Sequence, residues 1–447
     1  MFLYLNTSVF QILKNIFLLI IIISMSACSK QGARVLFGKR SPHQIYEQSL
    51  KDAGLHQTSL GKLWMEVAEK SLQNPIDISI PYKETGYFTS EKIKATAFRF
   101  KAKRGEKLTV QLVISPSTFK IYEDLFEVSK EKTLKILASA DTSNSVLSYE
   151  IEEEGTYLIR LQPELLRNGE YTLTILSGPS LAYPIKAKGS NHIQSFWGDG
   201  RDNGARKHEG IDLFAPFRTP VLAASDGIIT RVQETEIGGK VVWLKSAGKN
   251  YNLYYAHLDS QIVTDGQTVK VGDTLGLMGK TGNAKYTSPH LHFGIYTFGG
   301  AVDPFPYVNP TTIKPRNIIV SLKNLNTTMR ASNVSKLFRD LKTTNIHSTL
   351  GKNTPVVIEA ATGEFYRVVT PDGLSGYVTQ SNLGGNSKAL NKFTIEKAGY
   401  LYENPDTTSA KKMKTQKGRR LNVIGHFKNY SLVDDEGVVG WLLNEPI

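Results

Sequence analysis

The spacing of apolar positions changes several times along this chain, and each change predicts a different element. One uninterrupted apolar run, Ile16 to Ala27, follows Lys14 near the start. It falls short of the roughly 20 residues that a bilayer-spanning helix needs, which is the pattern of an export signal. Between Ser41 and Leu72 the period is helical: Leu60, Leu63, Trp64, Val67 and Ala68 fall on one face, and Pro75 ends the run. From about Tyr87 to Leu176 the period becomes two, in the sets Phe98 and Phe100, Leu108, Val110 and Leu112, Leu147, Tyr149 and Ile151, and Tyr171, Leu173 and Ile175. Gly105, Gly155 and Asn168-Gly169 supply turns, so these short alternating strands predict a β-sandwich.

Strands dominate again from Ser190 to Pro310, where Asp226-Gly227 and Ala247-Gly248 read as hairpin turns around Val221 to Ala224, Ile228 to Val232, Val241 to Leu244 and Asn252 to Tyr255. Beyond Pro315 one unit recurs. EFYRVVTPDGLSGYV lies between Gly363 and Leu383, and NYSLVDDEGVVGWL between Lys428 and Leu443, so that Gly376-Tyr377 matches Gly440-Trp441. The chain is therefore expected to be mainly β and to divide into a signal at 1–27, a helical segment at 28–82, a sandwich at 83–180, a strand-rich unit at 188–310 and two related units at 316–386 and 387–447. A length of 447 residues fits several separate cores better than one.

Composition narrows the setting. With 40% hydrophobic and 21% charged residues the chain is not of the disordered class. A formal net charge of +13 suits an anionic partner. Nucleic acid is one such partner, but export removes the opportunity and no nucleic-acid motif is present. Cys28 is the sole cysteine, so an intramolecular disulfide is excluded. Met25-Ser26-Ala27-Cys28 resembles the lipobox of bacterial lipoproteins, with Met25 where Leu is usual. That resemblance implies cleavage before Cys28, lipidation of Cys28 and a membrane anchor. Ser29, where an Asp would resemble an inner-membrane retention signal, favours the outer membrane, facing the periplasm.

Candidate chemistry sits in three places: His208-Glu-Gly-Ile-Asp212, the strand end Tyr255-Ala-His257-Leu258, and Pro289-His290-Leu-His292-Phe293. Each is weak alone, since with nine histidines a chance HxxxD is common. Together they suit zinc, which takes imidazole and carboxylate ligands and, in catalytic sites, uses three of them with one position open. His208, Asp212 and one member of the HxH pair supply that count. On a strand His290 and His292 face the same way, so one can bind metal while the other faces substrate. Glu209 lacks the second histidine at i+4 of a zincin helix and is expected to be exposed. Gly266, Gly272, Gly276, Gly279 and Gly282 read as turn or close-approach positions.

In order along the chain, GARKHEGIDLFAP, TPVLAASDGIITRV, YYAHLD, GQTVKVGDTLGLMGKTGN and SPHLHFGIY resemble the catalytic domain of the lysostaphin-type and LytM-type zinc metalloendopeptidases of peptidoglycan. The resemblance implies an antiparallel β-groove domain, a Zn2+ cofactor with His208, Asp212 and His292 as ligands, and His257 and His290 as catalytic groups that are not ligands. It also implies peptidoglycan as substrate, with the D-alanyl-diaminopimelate cross-link favoured over a glycine bridge in a two-membrane cell. The C-terminal pair resembles bacterial SH3-like barrels, and the sandwich resembles the pre-peptidase sandwiches of secreted proteases. Two rival readings remain: a protein that activates amidases through a groove of this fold, and a wall-binding scaffold whose metal is structural.

Overall fold

The computed structural model of the chain describes residues 40–142, 146–187, 192–201, 204–386 and 388–444. The export signal and Cys28 lie outside these residues. Among the described residues no helix is long and apolar enough to cross a membrane.

The helical stretch is two helices, not one. Pro42–Asp52 starts under a capping box in which Ser41 and Gln44 bond each other's backbone N–H. Gly54, with φ of 73°, follows its end and turns the chain away. Ser59–Gln73 begins beyond a short 3-10 turn and is capped by Thr58. Its buried stripe is Gly61, Trp64, Ala68 and Ser71. The expected apolar face is thus rotated, and Leu60 and Leu63 are exposed. Specific polar contacts choose the face: Trp64 Nε1 donates to Pro163 O at 2.9 Å, and Gln162 donates to Trp64 O at 2.7 Å. His43 completes the dock, stacked on Trp64 and bonded to the Gln162 Oε1 at 2.6 Å.

The helices rest on a two-sheet sandwich. One sheet runs Ile76–Asp77, Thr96–Ala102, Gly155–Pro163, Ile121–Val128 and Leu134–Asp141; the other holds Tyr82–Phe88, Gly169–Pro179, Glu106–Ser115 and Val146–Glu150. The alternating sets meet between them. Phe98, Phe100, Leu108, Val110, Leu112, Leu147, Ile151, Tyr171, Leu173 and Ile175 share one core, with Tyr149 partly buried at its edge.

The second sheet does not stop at the sandwich. Tyr82–Phe88 pairs antiparallel with Pro355–Thr362 of the first C-terminal unit, Thr85 opposite Ala361 and Gly86 opposite Ala360. Beside this seam the buried Arg367 guanidinium bonds Glu84 at 3.1 and 3.2 Å and Glu359 at 2.8 Å. Two acceptor carboxylates around one guanidinium satisfy charges that would be costly to bury alone. Tyr377, one of the two matched aromatics, is fully buried here with its hydroxyl 3.1 Å from that of Tyr82, and Trp441 is buried in the last unit. That unit, residues 388–444, is a separate six-stranded antiparallel sheet. Its basic residues Lys411, Lys412, Lys414, Lys417, Arg419 and Arg420 are exposed, or half-exposed where paired with Glu403, Asp435 and Glu436.

The strand-rich unit between sandwich and C-terminal pair builds a ten-stranded sheet of its own. Ala247-Gly248 lies in the hairpin expected there, between Gly239–Ser246 and Tyr251–Gln261. Asp226-Gly227 is not a hairpin: Pro220–Leu222 pairs with Thr274–Met278, and Gly227–Thr235 pairs with Gly239–Ser246. The Asp226 carboxylate accepts from Val271 N instead, tying the crossing to a distant loop, which local turn chemistry does not reveal. Of the glycines, Gly272 has φ of 90°, and a Cβ on Gly279 would stand 2.3 Å from Asp259 N, one example of each expected role. The unit docks on the sandwich where Tyr307 covers Gly105 and where Glu150 accepts from Lys249 and from the Tyr251 hydroxyl.

Candidate metal centre

Three neighbouring antiparallel strands set the geometry. His290–Thr297 lies between Ile211–Phe214 and Tyr251–Gln261. Leu291, Phe293 and Ile295 are in the core, so alternation turns His290, His292, Gly294 and Tyr296 to the opposite face. Ile211 and Leu213 are likewise in the core, which sends Asp212 and Phe214 to that same face. Register then sets Asp212 directly opposite His292, and Phe214 opposite His290. Directly opposed side chains start only about 5 Å apart at Cβ, close enough to share a ligand.

His257 reaches this face through an irregularity. Tyr251, Leu253 and Tyr255 are core residues, and so is Leu258. The register against Gly239–Ser246 shifts at this point, with Val242 opposite Tyr255 and Lys240 opposite Leu258. His257 takes the extra position with φ of 62°, a left-handed conformation that a non-glycine residue adopts at a cost. The bulge aims a side chain that regular alternation would not have placed there.

His208 arrives from the loop before Ile211–Phe214, held by its own N–H on Asp199 O at 2.8 Å and its carbonyl on Gly198 N at 2.9 Å. Gly210 leaves space for the neighbouring ring, since a Cβ there would stand 2.6 Å from His292 Cε1. His208 Nε2, His292 Nδ1 and Asp212 Oδ1 are mutually 2.9, 3.0 and 3.0 Å apart. They are the group of histidine, cysteine and carboxylate side chains among the described residues whose donor atoms suit one metal ion.

Hydrogen-bond accounting tests that fit. The Phe196 carbonyl lies 2.9 Å from His208 Nδ1 and can only accept, so Nδ1 carries the proton and Nε2 presents a lone pair inward. Burial pushes the His292 imidazole below its ordinary value, against the pull of Asp212, and keeps the ring neutral. Burial pushes the Asp212 carboxyl up, but the two imidazoles of His208 and His292 against it outweigh burial and hold the group well below the usual carboxylate range. Two neutral nitrogens and one carboxylate therefore converge with no more than one proton among them, a donor set for a cation of zinc's type.

The second Asp212 oxygen is occupied. Arg201 donates to Asp212 Oδ2 at 2.5 Å and to Ser195 Oγ at 2.8 Å. That leaves Oδ1 alone facing the two histidines. His257 and His290 stand beside the cluster with ring centroids 4.9 Å apart, and His257 lies 6.0 Å from His292. Each has its Nδ1 on a carbonyl, Thr281 O for His257 and Ser288 O for His290, both at 2.9 Å. Their Nε2 atoms are thereby the free, proton-accepting nitrogens. Burial, helped by the neighbouring His290 and His292 imidazoles, pushes the His257 imidazole down to about 4. Phe214 stacks on His290 at 4.9 Å.

All five residues expected from the sequence come together here. Glu209 is exposed at the rim. Arg201, Ser195, Gly210 and Phe214 were not singled out from the sequence. Asp212 and His292 suggest Phe214 by alternation, but nothing periodic marks Arg201. The groove that holds the cluster has a volume of about 1000 Å³, and every residue lining it lies between Ser195 and Tyr296. Neither the helices, the sandwich nor the C-terminal units contribute a described residue to it.

Comparison with known proteins finds similarity over the segment that builds this site. Residues 206–304 match the family model described as Peptidase family M23. An L-Ala--D-Glu endopeptidase of Bacillus subtilis (strain 168) is 31% identical over 139 residues, 28% of this chain and 42% of that protein. The peptidoglycan DD-endopeptidase ShyC of Vibrio cholerae serotype O1 is 33% identical over 109 residues, 24% of this chain and 23% of that protein. The chain thus spans less than half the length of these curated relatives. Among solved structures, the catalytic domain of the antimicrobial peptidase lysostaphin from Staphylococcus simulans is 30% identical, with 27% of this chain and 98% of that chain covered and a TM-score of 0.24.

Proposed function

We propose that this chain, which belongs through residues 206–304 to peptidase family M23, hydrolyses peptide bonds of peptidoglycan with one zinc ion held by His208, Asp212 and His292. The observation that carries the reading is the convergence of those three donor atoms within 3.0 Å of one another, beside two histidines that take no part in the cluster. When bound, the ion supplies Lewis-acid polarisation of the scissile carbonyl and acidifies water.

The chain's own residues do the rest. Asp212 contributes the negative charge that partly offsets a dication, and Arg201 fixes which of its oxygens is offered. His257 and His290 each have a free Nε2. One accepts the proton of the attacking water at its Nε2, and the other, once its Nε2 has taken up a proton from solvent, donates it to the oxyanion or the leaving amine. Phe214 packs His290 in place so that its ring keeps the orientation set by Ser288 O. The open groove, clear of the other domains, admits an extended peptide.

The favoured bond is the D-alanyl-diaminopimelate cross-link, supported by the DD-endopeptidase relative. Lipidation of Cys28 would tether the enzyme to the outer membrane, facing the wall. The sandwich then serves as a spacer, and the units at 316–386 and 387–447 as SH3-like wall-binding modules. The test is mass analysis of peptides released from purified sacculi, with and without a chelator. Release of cleaved cross-links that stops on chelation and resumes with zinc is the expected result. No release, or release indifferent to the chelator, overturns the reading.

A further inference from the structure

The groove face carries three large rings that neither the core nor the metal cluster uses. Trp243, Tyr254 and Tyr296 stand on three adjacent strands, Gly239–Ser246, Tyr251–Gln261 and His290–Thr297. Trp243 lies opposite Tyr254 in the register, and the ring centroids are 4.5 Å apart for Trp243 and Tyr254, 5.1 Å for Trp243 and Tyr296, and 5.9 Å for the two tyrosines. Tyr254 also meets His292 edge-on at 5.9 Å, so the rings continue directly from the ligand cluster. All three are half-buried and line the groove, whereas the core of these strands is made by their alternate neighbours, among them Leu244, Tyr255 and Ile295.

A sheet face turned to solvent is ordinarily polar, and a contiguous aromatic patch there marks a binding surface. Gly294, between His292 and Tyr296, keeps the floor flat: a Cβ would stand 2.9 Å from the Tyr296 ring. The surface is a shelf in an open groove, not an enclosed apolar hollow, which disfavours a single aliphatic side chain as occupant. It suits a rigid ring with a C–H face and a polar edge, and the shelf has polar neighbours in Glu209 and Thr235. Distance points the same way. Tyr296 is four residues beyond His292, roughly 13 Å along a strand, which about four residues of extended peptide would span.

We propose that Trp243, Tyr254 and Tyr296 form a sugar subsite, on which a pyranose ring of the glycan strand stacks while the peptide it bears runs along the groove to the metal ligands. The inference rests on the peptidoglycan reading and names the part of the polymer that this face recognises. It makes the enzyme prefer peptides still attached to glycan over free peptides. Tyrosine and tryptophan suit the task because each offers a stiff apolar face with a polar handle at its edge.

The test compares calorimetric dissociation constants of a disaccharide-bearing cross-linked stem peptide and of the same peptide stripped of its sugar. It uses the full zinc-loaded chain carrying His290→Ala, so that binding is read without turnover. The sugar-bearing form should bind more tightly. Trp243→Ala and Tyr296→Ala should each weaken it roughly three- to tenfold, leave the stripped peptide unchanged, and be largely rescued by Trp243→Phe and Tyr296→Phe. Equal affinity for the two forms without the shelf substitutions, or equal weakening of both forms in the alanine variants, overturns the sugar subsite. A chain that prefers the sugar-bearing form yet releases nothing from sacculi would instead contradict the peptidase reading and leave the subsite standing.

Discussion

At the scale of single residues, the site is a problem of directing lone pairs. His208 and His290 show the same device with different outcomes: each spends Nδ1–H on a backbone carbonyl, but only His208 then presents Nε2 to Asp212 and His292. Arg201 extends the logic outward. Its guanidinium holds the Asp212 oxygen that does not face the histidines, and partners of this kind commonly govern ligand orientation. Replacing Arg201 with Gln should therefore weaken zinc binding roughly 10- to 100-fold in competition with a chelating dye, with Arg201→Lys intermediate. Parent affinity in the Gln variant would remove Arg201 from the account. The sequence carried His208, Asp212 and the HxH pair because metal chemistry restricts residue type, whereas the choice of His292 as ligand and of His257 and His290 as groups that are not ligands came from its resemblance to the peptidoglycan endopeptidases. It carried no sign of Arg201, because an arginine seven residues before the first ligand is unremarkable until the loop folds back.

At the scale of elements, alternation does most of the placing, and the exceptions are where sequence reading fails. Burial of Ile211 and Leu213 against Leu291, Phe293 and Ile295 is enough to put Asp212, His290 and His292 on one face, and that much was legible. The bulge at His257 was not, since it depends on a register shift against another strand. Nor was the rotated stripe of helix Ser59–Gln73, which is selected by hydrogen bonds to residues about a hundred positions away. Packing between elements makes a sharp prediction at Gly210. Gly210→Ala drives a methyl group into the His292 ring and should abolish zinc binding while the chain stays folded, checked by metal analysis alongside circular dichroism. A variant that binds zinc normally would show that the strand and loop are held less tightly than described.

At the scale of the whole molecule, the sandwich is the hub: the helices dock on it, the unit that carries the metal centre packs against it, and its sheet runs on into the first C-terminal unit. That last continuity joins residues as far apart as Lys83 and Thr362, a separation of 279, and pairing over such a span leaves no local pattern to read. The hub also carries a pH signature. Burial, with Asp124 beside it, pushes the Glu123 carboxyl from 4.5 up to about 8. A carboxyl raised in the folded state stabilises fully below 4.5, and that contribution is lost as pH rises through 8. His43, pushed down to about 4 by burial and by Arg160, has the opposite sense, but its effect is complete once pH passes its ordinary 6.5. Unfolding free energy from denaturant titration should therefore fall between those two limits, 6.5 and 8, and Glu123→Gln should flatten the fall. An unchanged slope in that variant would assign the effect elsewhere.

The claim on which the rest depends is that His208, Asp212 and His292 grip one divalent ion, with His290 next to it but not a ligand. Elemental analysis of the full chain after zinc loading and desalting, together with its Asp212→Ala and His290→Ala variants, tests this most directly. One zinc per chain in the parent and in His290→Ala, and none in Asp212→Ala, is the predicted result. Zinc retained in Asp212→Ala, or lost in His290→Ala while that variant remains folded, would contradict it.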